Sequence, residues 1–286
     1  MPIIALLSLS LLWGSTFYLT KMLLPDFHPV SIVFFRCLFG GLALLPFFIW
    51  QKRKDEFKRV PLLIFISLIS AGVPWTFMSI SMGGLDTTVS SVLNATGPIF
   101  GILLSSLIFK VKVSRQEVLS VLIGFAGIAI AFLIGSEEAI DFQMSSAMLL
   151  LFSVNMYALS AVLAGKYLKG YSVVTISFVA MAVGTVFTSF FMLSIDPSSY
   201  KGLFNSTNLM LFLLLGVFNS GLGNILFYYL VKNGGAVFAL LITYLMPFTT
   251  LILGVFLLHE PLGGGTLIAL FFVLGGLYLS KRGKRT

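Results

Sequence analysis

The chain has 286 residues, of which 58% are apolar and only 10% charged, with a mean hydropathy of +1.05, whereas soluble domains carry roughly 25% charged residues. This composition describes a polytopic membrane protein with no room for a soluble domain, and the lone cysteine, Cys37, excludes an internal disulfide or a thiolate metal cluster. The formal net charge of +8 is informative through its placement rather than its size.

Cutting at charge clusters and Gly/Pro turns gives ten apolar runs, at about 3–24, 30–50, 62–82, 87–109, 117–134, 147–167, 172–195, 208–231, 236–258 and 263–280. Each has the length of a helix that crosses a hydrocarbon core of roughly 30 Å. They lack period-two alternation and are about twice too long for barrel strands. The first run resembles a signal-peptide core without its basic segment, so it is read as the first span. It carries Trp13, Ser15 and Thr16 near its middle. The second holds Arg36 inside Ser31–Gly41, where a charge in hydrocarbon costs about 3 kcal/mol. Two readings of Arg36 are open: a structural side chain snorkelling to the outer headgroups, or a vestibule cation that pairs with an acidic loop residue or attracts a carboxylate.

The third span places Ala71, Trp75 and Ser79 four residues apart on one helix face. The fourth carries Asn94 and a mid-span proline, Pro98. The fifth offers Gly124 and Gly127 for close packing, and the sixth has Asn155, Tyr157 and Ser160. The eighth repeats the polar stripe as Ser220, Asn224 and Tyr228, the ninth contains Thr243 and Pro247, and the tenth carries Gly275 and Gly276. Trp13, Trp75 and Tyr157 lie too close to mid-span for interfacial anchoring to explain them easily.

A shift of 149 residues places Pro98 on Pro247, Gly127 on Gly276, Asn94 on Thr243, and the Ala71/Trp75/Ser79 stripe on Ser220/Asn224/Tyr228. The chain is therefore a duplication. Five spans per copy is an odd number, so the copies lie in opposite directions. Predicted boundaries are 1–134 for the first repeat, 135–146 for an outside linker, 147–280 for the inverted repeat and 281–286 for a basic tail. Charge agrees: with cytoplasmic termini, fifteen of eighteen Lys and Arg fall in inside loops, leaving Lys21, Arg36 and Lys201, while Asp26, Asp86, Asp196 and Glu260 fall outside. The loop at Gly83 to Asp86 is acidic and its match at Lys232 to Gly235 is basic, as inversion requires. The location expected is a cell (inner or plasma) membrane, with multiple passes and both termini cytoplasmic.

Proline in mid-span removes a backbone hydrogen bond, which hydrocarbon tolerates only where protein or water replaces it. Pro98 and Pro247 read either as packing kinks or as hinges of a central site; the repeated polar stripe reads either as a cavity lining or as interhelical hydrogen bonding. The candidate solute contacts are Trp13, Trp75, Ser79, Asn94, Asn155, Tyr157, Asn224, Tyr228 and Thr243. No Asp or Glu lies mid-span, and His28 and His259 sit at span ends, so there is no catalytic set, no metal site and no phosphate-cradling loop. The expectation is a non-enzyme without cofactor, driven by gradients. Its neutral cavity suits a neutral or zwitterionic small molecule in a lipid bilayer, without nucleic acid; a monomer is favoured. Carriers of nucleosides or nucleotide sugars are the nearest alternative, although a polyphosphate wants several cavity cations. A lipid-handling protein follows them.

The segments Trp13-Gly14-Ser15-Thr16-Phe17, Arg36 with Gly40-Gly41, Thr87 through Pro98 with Phe100, Met246-Pro247-Phe248 through His259-Glu260-Pro261-Leu262, and Gly275-Gly276 resemble the EamA type of the drug/metabolite transporter superfamily over essentially the whole chain. The resemblance implies a ten-helix secondary transporter, commonly an exporter of amino acids or related metabolites, whose cavity is built by spans one, three, four, six, eight and nine. The family usually repeats its acidic ending in both copies; here Val111 stands where Glu260 has its match. Glu260 and Arg36 are therefore the residues expected to gate or couple.

Overall fold

A computed structural model describes residues 2–51, 59–110 and 144–260, with further helical positions between 115 and 127 and between 264 and 275. Among the described residues there is no strand, and eight helices are long and apolar enough to cross a membrane. They are α1 (Pro2–Leu23), α2 (Pro29–Trp50), α3 (Val60–Ser81), α4 (Thr87–Phe109), α5 (Met144–Tyr167), α6 (Val173–Ile195), α7 (Ser206–Gly234) and α8 (Ala236–Leu257). The first four are the first four predicted spans; α5 to α8 are the sixth to ninth. Local chemistry starts several of them: His28 Nδ1 accepts the Val30 N–H (3.3 Å) ahead of Pro29, Ser172 Oγ accepts that of Thr175 (3.0 Å), and Asn205 Oδ1 that of Thr207 (2.9 Å). Each cap satisfies an N–H that the first helical turn leaves without a partner.

Hydrogen bonds between helix ends establish which ends lie together. At one end, Asp26 after α1 accepts from Asn208 at the start of α7 (2.9 Å). There, too, Asp196 after α6 accepts from Ser31 at the start of α2 (2.8 Å), Lys21 of α1 donates to the carbonyls of Met82 and Leu85 after α3 (3.1 and 3.0 Å), and Glu260 after α8 reaches Thr87 at the start of α4 (2.7 Å). At the other end, Gln51 after α2 meets Thr175 of α6 (2.6 Å), the Arg59 N–H before α3 meets Tyr171 (3.3 Å), and Lys232 of α7 donates to the Tyr171 carbonyl (2.7 Å). Lys166 near the close of α5 sits 3.7 Å from the Phe109 ring that closes α4. We call these the acidic and basic ends.

The pairs α1/α5, α2/α6, α3/α7 and α4/α8 consequently run in opposite senses, which is the inversion predicted from an odd span count. α4 ends at the basic end and α5 starts at the acidic end; the predicted fifth span lies largely outside the described residues. The tenth span, Gly124, Gly276, most of the linker and the basic tail lie largely or wholly outside the described residues.

Packing repeats the symmetry. α2 packs on α6 across the centre; α1 packs on α8 as α5 does on α4; α2 meets the middle of α7 as α6 meets the middle of α3. The middles of α3 and α7 are π-helical, over Leu68–Gly72 and Leu214–Leu222. Wide turns of this kind concentrate at functional sites. α4 is interrupted at Ala95 and Thr96, and α8 at Leu241, each with bonds of i→i+3 type. Lys110 and His259, 149 positions apart, both adopt φ 54°, so the repeat extends to a left-handed residue where each of α4 and α8 ends. Pro98 opens the helical run that follows the break in α4, whereas Pro247 lies inside the continuous run Ile242–Leu257, past the break at Leu241; the π segments of α3 and α7 contain no proline.

Two glycines bring the halves together. A Cβ at Gly40 would stand 2.9 Å from the Gly216 carbonyl oxygen, and one at Gly184 would stand 2.8 Å from Cys37 Sγ. Backbone contact leaves no room to yield, so Gly40→Ala is expected to destabilise by about 1–3 kcal/mol through forced separation of α2 and α7, read as a lower unfolding temperature in detergent. Gly41→Ala meets its nearest atom, Met181 Cβ, only at 3.5 Å and is the neutral control.

Candidate functional site

Between the two halves lies a cleft with about 490 Å³ of space outside the protein atoms, open solvent included. α1 contributes Trp13, Thr16 and Phe17; α2 contributes Arg36; α3 contributes Pro74, Trp75 and Met78; α4 contributes Asn94; α5 contributes Ser153, Val154 and Tyr157; α8 contributes Thr243 and Met246. Asn94 and Thr243 stand four residues ahead of Pro98 and Pro247, where each proline leaves a carbonyl without its usual donor. The breaks in α4 and α8 thus face each other across the cleft.

Of the nine predicted contacts, Trp13, Trp75, Asn94, Tyr157 and Thr243 line this space; Ser79, Asn155, Asn224 and Tyr228 do not. Ser79 is fully buried with an unpartnered hydroxyl, Asn155 is half-buried, and Asn224 donates to the Ser220 carbonyl (2.7 Å) inside the π segment. Tyr228 is stacked edge-on to Phe227 at 5.4 Å. Beneath the cleft, Phe227 joins Trp13 (5.2 Å) and Tyr157 (4.9 Å) in an aromatic floor. α7 was expected to line the cavity and does not: Asn219 and Ser220 are bound to α1 and α2 and Asn224 to its own helix, while α2, not expected, does.

Asn219, absent from the predicted set, explains that difference. Its amide donates to the Leu12 carbonyl (2.6 Å), Thr16 Oγ1 (3.0 Å) and Ser15 Oγ (3.1 Å), and its own carbonyl accepts the Trp13 indole N–H (2.9 Å). The polar run of α1 is therefore interhelical cement as well as lining. Ser153 was also missed; its hydroxyl donates to the Pro74 carbonyl (2.6 Å), tying α5 to the turn after the first π segment. Pro74 was legible as a mid-span proline, but its match at 149 residues is Gly223, so the repeat gave no second signal.

Arg36 corrects the snorkelling reading and, among the described residues, the pairing with an acidic loop residue. It is 1% exposed, so it does not snorkel, and no described carboxylate touches it. Its Nε donates to Ser220 Oγ (3.0 Å), and its guanidinium carbon lies 4.0 Å above the centre of the Trp75 ring. Nη1 is buried without a partner. A desolvated cation–π contact contributes about 2 kcal/mol and a hydrogen bond to a charged group about 1.5–3, against a desolvation cost of several kcal/mol for the ion. The expected neutral cavity instead holds one cation with unmet hydrogen-bonding capacity.

Glu260 closes the acidic end. Its carboxylate accepts from Thr87 N (2.9 Å), Thr87 Oγ1 (2.7 Å), Thr88 N (3.3 Å) and Thr88 Oγ1 (3.2 Å). A carboxylate of the second half thereby caps the first turn of α4 in the first half, where the helix dipole favours an anion. The natural cap residue, Asp86, makes no side-chain cap bond. Burial and the neighbouring Glu260 charge raise the Asp86 carboxyl above its ordinary range, against a smaller opposing effect of Lys21. A raised folded-state value means stability that is present at low pH and lost as pH rises through it. Asp86→Asn is therefore expected to raise the unfolding temperature at pH 7, with the gain vanishing below about pH 4, the ordinary aspartate range.

Loss of the Glu260 staple can be read through a thiol. Cys37 is buried, so a Ser91→Cys substitution, one turn below Thr87 at a fully buried site, supplies a distinct target. Adding Glu260→Ala is expected to speed its maleimide labelling at least about tenfold, since about 1.4 kcal/mol of lost closure suffices. Unchanged labelling would show that the carboxylate does not hold this end shut.

The profile of the EamA-like transporter family matches residues 1–133 and 144–282. An uncharacterized transporter of Archaeoglobus fulgidus is 24% identical over 94% of this chain and 95% of its own. The transporter YvbV of Bacillus subtilis, also uncharacterized, is 25% identical over 95% and 88%. Protein PecM of Dickeya dadantii is 24% identical over 93% and 88%. A solved crystal structure covering 99% of this chain superposes with a TM-score of 0.76 at 14% identity, which speaks to fold alone.

Proposed function

Because the chain belongs to the EamA-like transporter family and is a multi-pass membrane transporter, we propose that it moves small metabolites such as amino acids by alternating access about the cleft between its halves, in the export direction. One observation carries this reading: the cleft lies where the broken helices α4 and α8 face each other across an inverted repeat, so that rocking one half against the other opens it to one side at a time. The staple between Glu260 and Thr87 gives the acidic end a closed state. The matching position at the basic end holds Val111, and the residues matching Thr87 and Thr88 are Ala236 and Val237, none of which can form such a staple.

With the basic end facing the cytoplasm, that asymmetry favours a carrier that rests open toward the cell interior, as an exporter collecting solute from inside would. The two halves correspond to residues 1–134 and 147–280 in this scheme. No intramembrane carboxylate is available as a proton carrier among the described residues, so movement is facilitated or coupled through end groups such as Glu260.

Counterflow in proteoliposomes tests the mechanism. Vesicles preloaded with unlabelled amino acid are expected to accumulate labelled amino acid transiently above its outside concentration, which a channel cannot do. Asn94 lines the cleft, and among the described residues its amide donates to the Met246 sulfur alone, at 3.6 Å. Asn94→Leu is expected to cut exchange at least about tenfold, the value of about 1.4 kcal/mol of lost binding, in protein that still folds and inserts. Absence of counterflow across an amino-acid panel would overturn the reading.

A further inference from the structure

Resting on the cleft as a solute site, we propose that the free edge of Arg36 anchors a carboxylate, so that the accepted solute is a small organic carboxylate with an apolar body, bound in one orientation. The guanidinium is held rigidly. Nε is tied to Ser220 Oγ at 3.0 Å, and that hydroxyl is itself aimed by donation to the Leu215 carbonyl at 2.8 Å. Trp75 fixes the plane from one side at 4.0 Å. What remains is a fork of N–H donors, including the unpartnered and buried Nη1, in a residue that lines the cleft.

A planar fork matches a carboxylate through paired hydrogen bonds, and a ligand anion supplies the charge that the protein itself withholds. Each other described carboxylate is remote from Arg36 and lies at the acidic end: Asp26 on Asn208, Asp196 on Ser31, Glu260 on Thr87, and Asp86 beside α4.

The rest of the lining selects the rest of the solute. Trp13, Phe17, Met78, Val154 and Met246 offer apolar and aromatic surface, with Asn94 as a lateral polar contact. No Lys lines the cleft, so a phosphate dianion or a polyphosphate would bring charge with nothing to meet it. The anchor is also unique to one half. Gly40 abuts Gly221 in the π segment of α7 as Gly184 abuts Gly72 in that of α3; aligned by those contacts, Arg36 corresponds to Ala180. A solute bound by its carboxylate therefore has no equivalent reversed pose.

The test is thermal unfolding of the purified full chain in detergent with four probes sharing one apolar body: 3-phenylpropionate, its primary amide, phenethylamine and phenylalanine. The acid is expected to raise the unfolding temperature by about 3 °C at ten times its dissociation constant, with quenching of tryptophan fluorescence from Trp75. The amide and the amine are expected to shift neither readout. Phenylalanine tells the two sources of a carboxylate apart: a shift equal to that of the acid means that zwitterions are accepted, and no shift restricts the site to monoanions.

Arg36→Gln is expected to abolish the response to carboxylates, and Arg36→Lys to retain part of it. Equal shifts from acid and amide, no shift from either carboxylate, or an undiminished response in Arg36→Gln would each overturn the anchor. The acid and amide comparison is made on the unaltered protein, so it decides even if Arg36→Gln fails to fold. If carboxylates bind through Arg36 but show no counterflow, the anchor stands and the transport reading alone fails.

Discussion

Hydrocarbon offers no hydrogen-bond partner, so a helix that breaks within the membrane survives only where protein or a wet cavity receives the groups it frees. Four of the eight described helices depart from regular geometry within their spans, α3 and α7 near their middles and α4 and α8 closer to their starts. The two π segments are received by protein: Arg36 and Ser220 join at 3.0 Å across the one in α7, and Gly184 lies against Gly72 at the other. The interruptions of α4 and α8 are received by the cleft, through Asn94 and Thr243. Outside this region the described helices expose apolar side chains, with Phe, Leu and Ile exposed along α1, α2 and α6.

That constraint also explains what could be read from sequence. Span positions were legible because apolar length and flanking charge are local properties, and inversion was legible because it follows from an odd count. The proline pair was legible because proline is the one residue whose backbone consequence is certain. A π turn has no such signature. Leu68–Gly72 and Leu214–Leu222 read as ordinary apolar helix, and the wide turn depends on contact with the opposing glycine faces, which is tertiary information. Asn219 was lost for the same reason: its four hydrogen bonds all go to residues more than two hundred positions away, and it falls off the four-residue stripe that drew attention to Asn224. The stripe was a true polar face whose members divide between cavity lining and cement, and periodicity cannot tell which groups meet solvent and which meet another helix.

Two halves of one architecture are related by inversion, but identical halves would leave the two ends without distinction. The departures from symmetry carry the chemistry. Glu260 has Val111 as its counterpart, so only one end of the bundle closes through a charged cap. Arg36 has Ala180, so only one half presents a cation to the cleft. Trp75, beneath that cation, matches Asn224, which is consumed by a backbone carbonyl. Duplication supplied the geometry of two broken helices, and divergence at these three pairs made the cleft asymmetric.

The buried guanidinium follows from the same logic. Its position carries a desolvation cost of several kcal/mol, which one neighbouring ring and one hydroxyl offset while Nη1 stays unpartnered. A guanidinium with one unpartnered nitrogen in an empty cleft gains its missing partner when an anion occupies that cleft. Affinity for an anion is then the direct consequence of the missing carboxylate partner. A protein carboxylate beside Arg36 would raise stability and abolish that affinity together, since the donors would already be saturated. An empty cleft that is electrostatically incomplete is thus the condition for binding, and the rigid hold by Ser220 and Trp75 keeps the guanidinium from relaxing away from the space it faces.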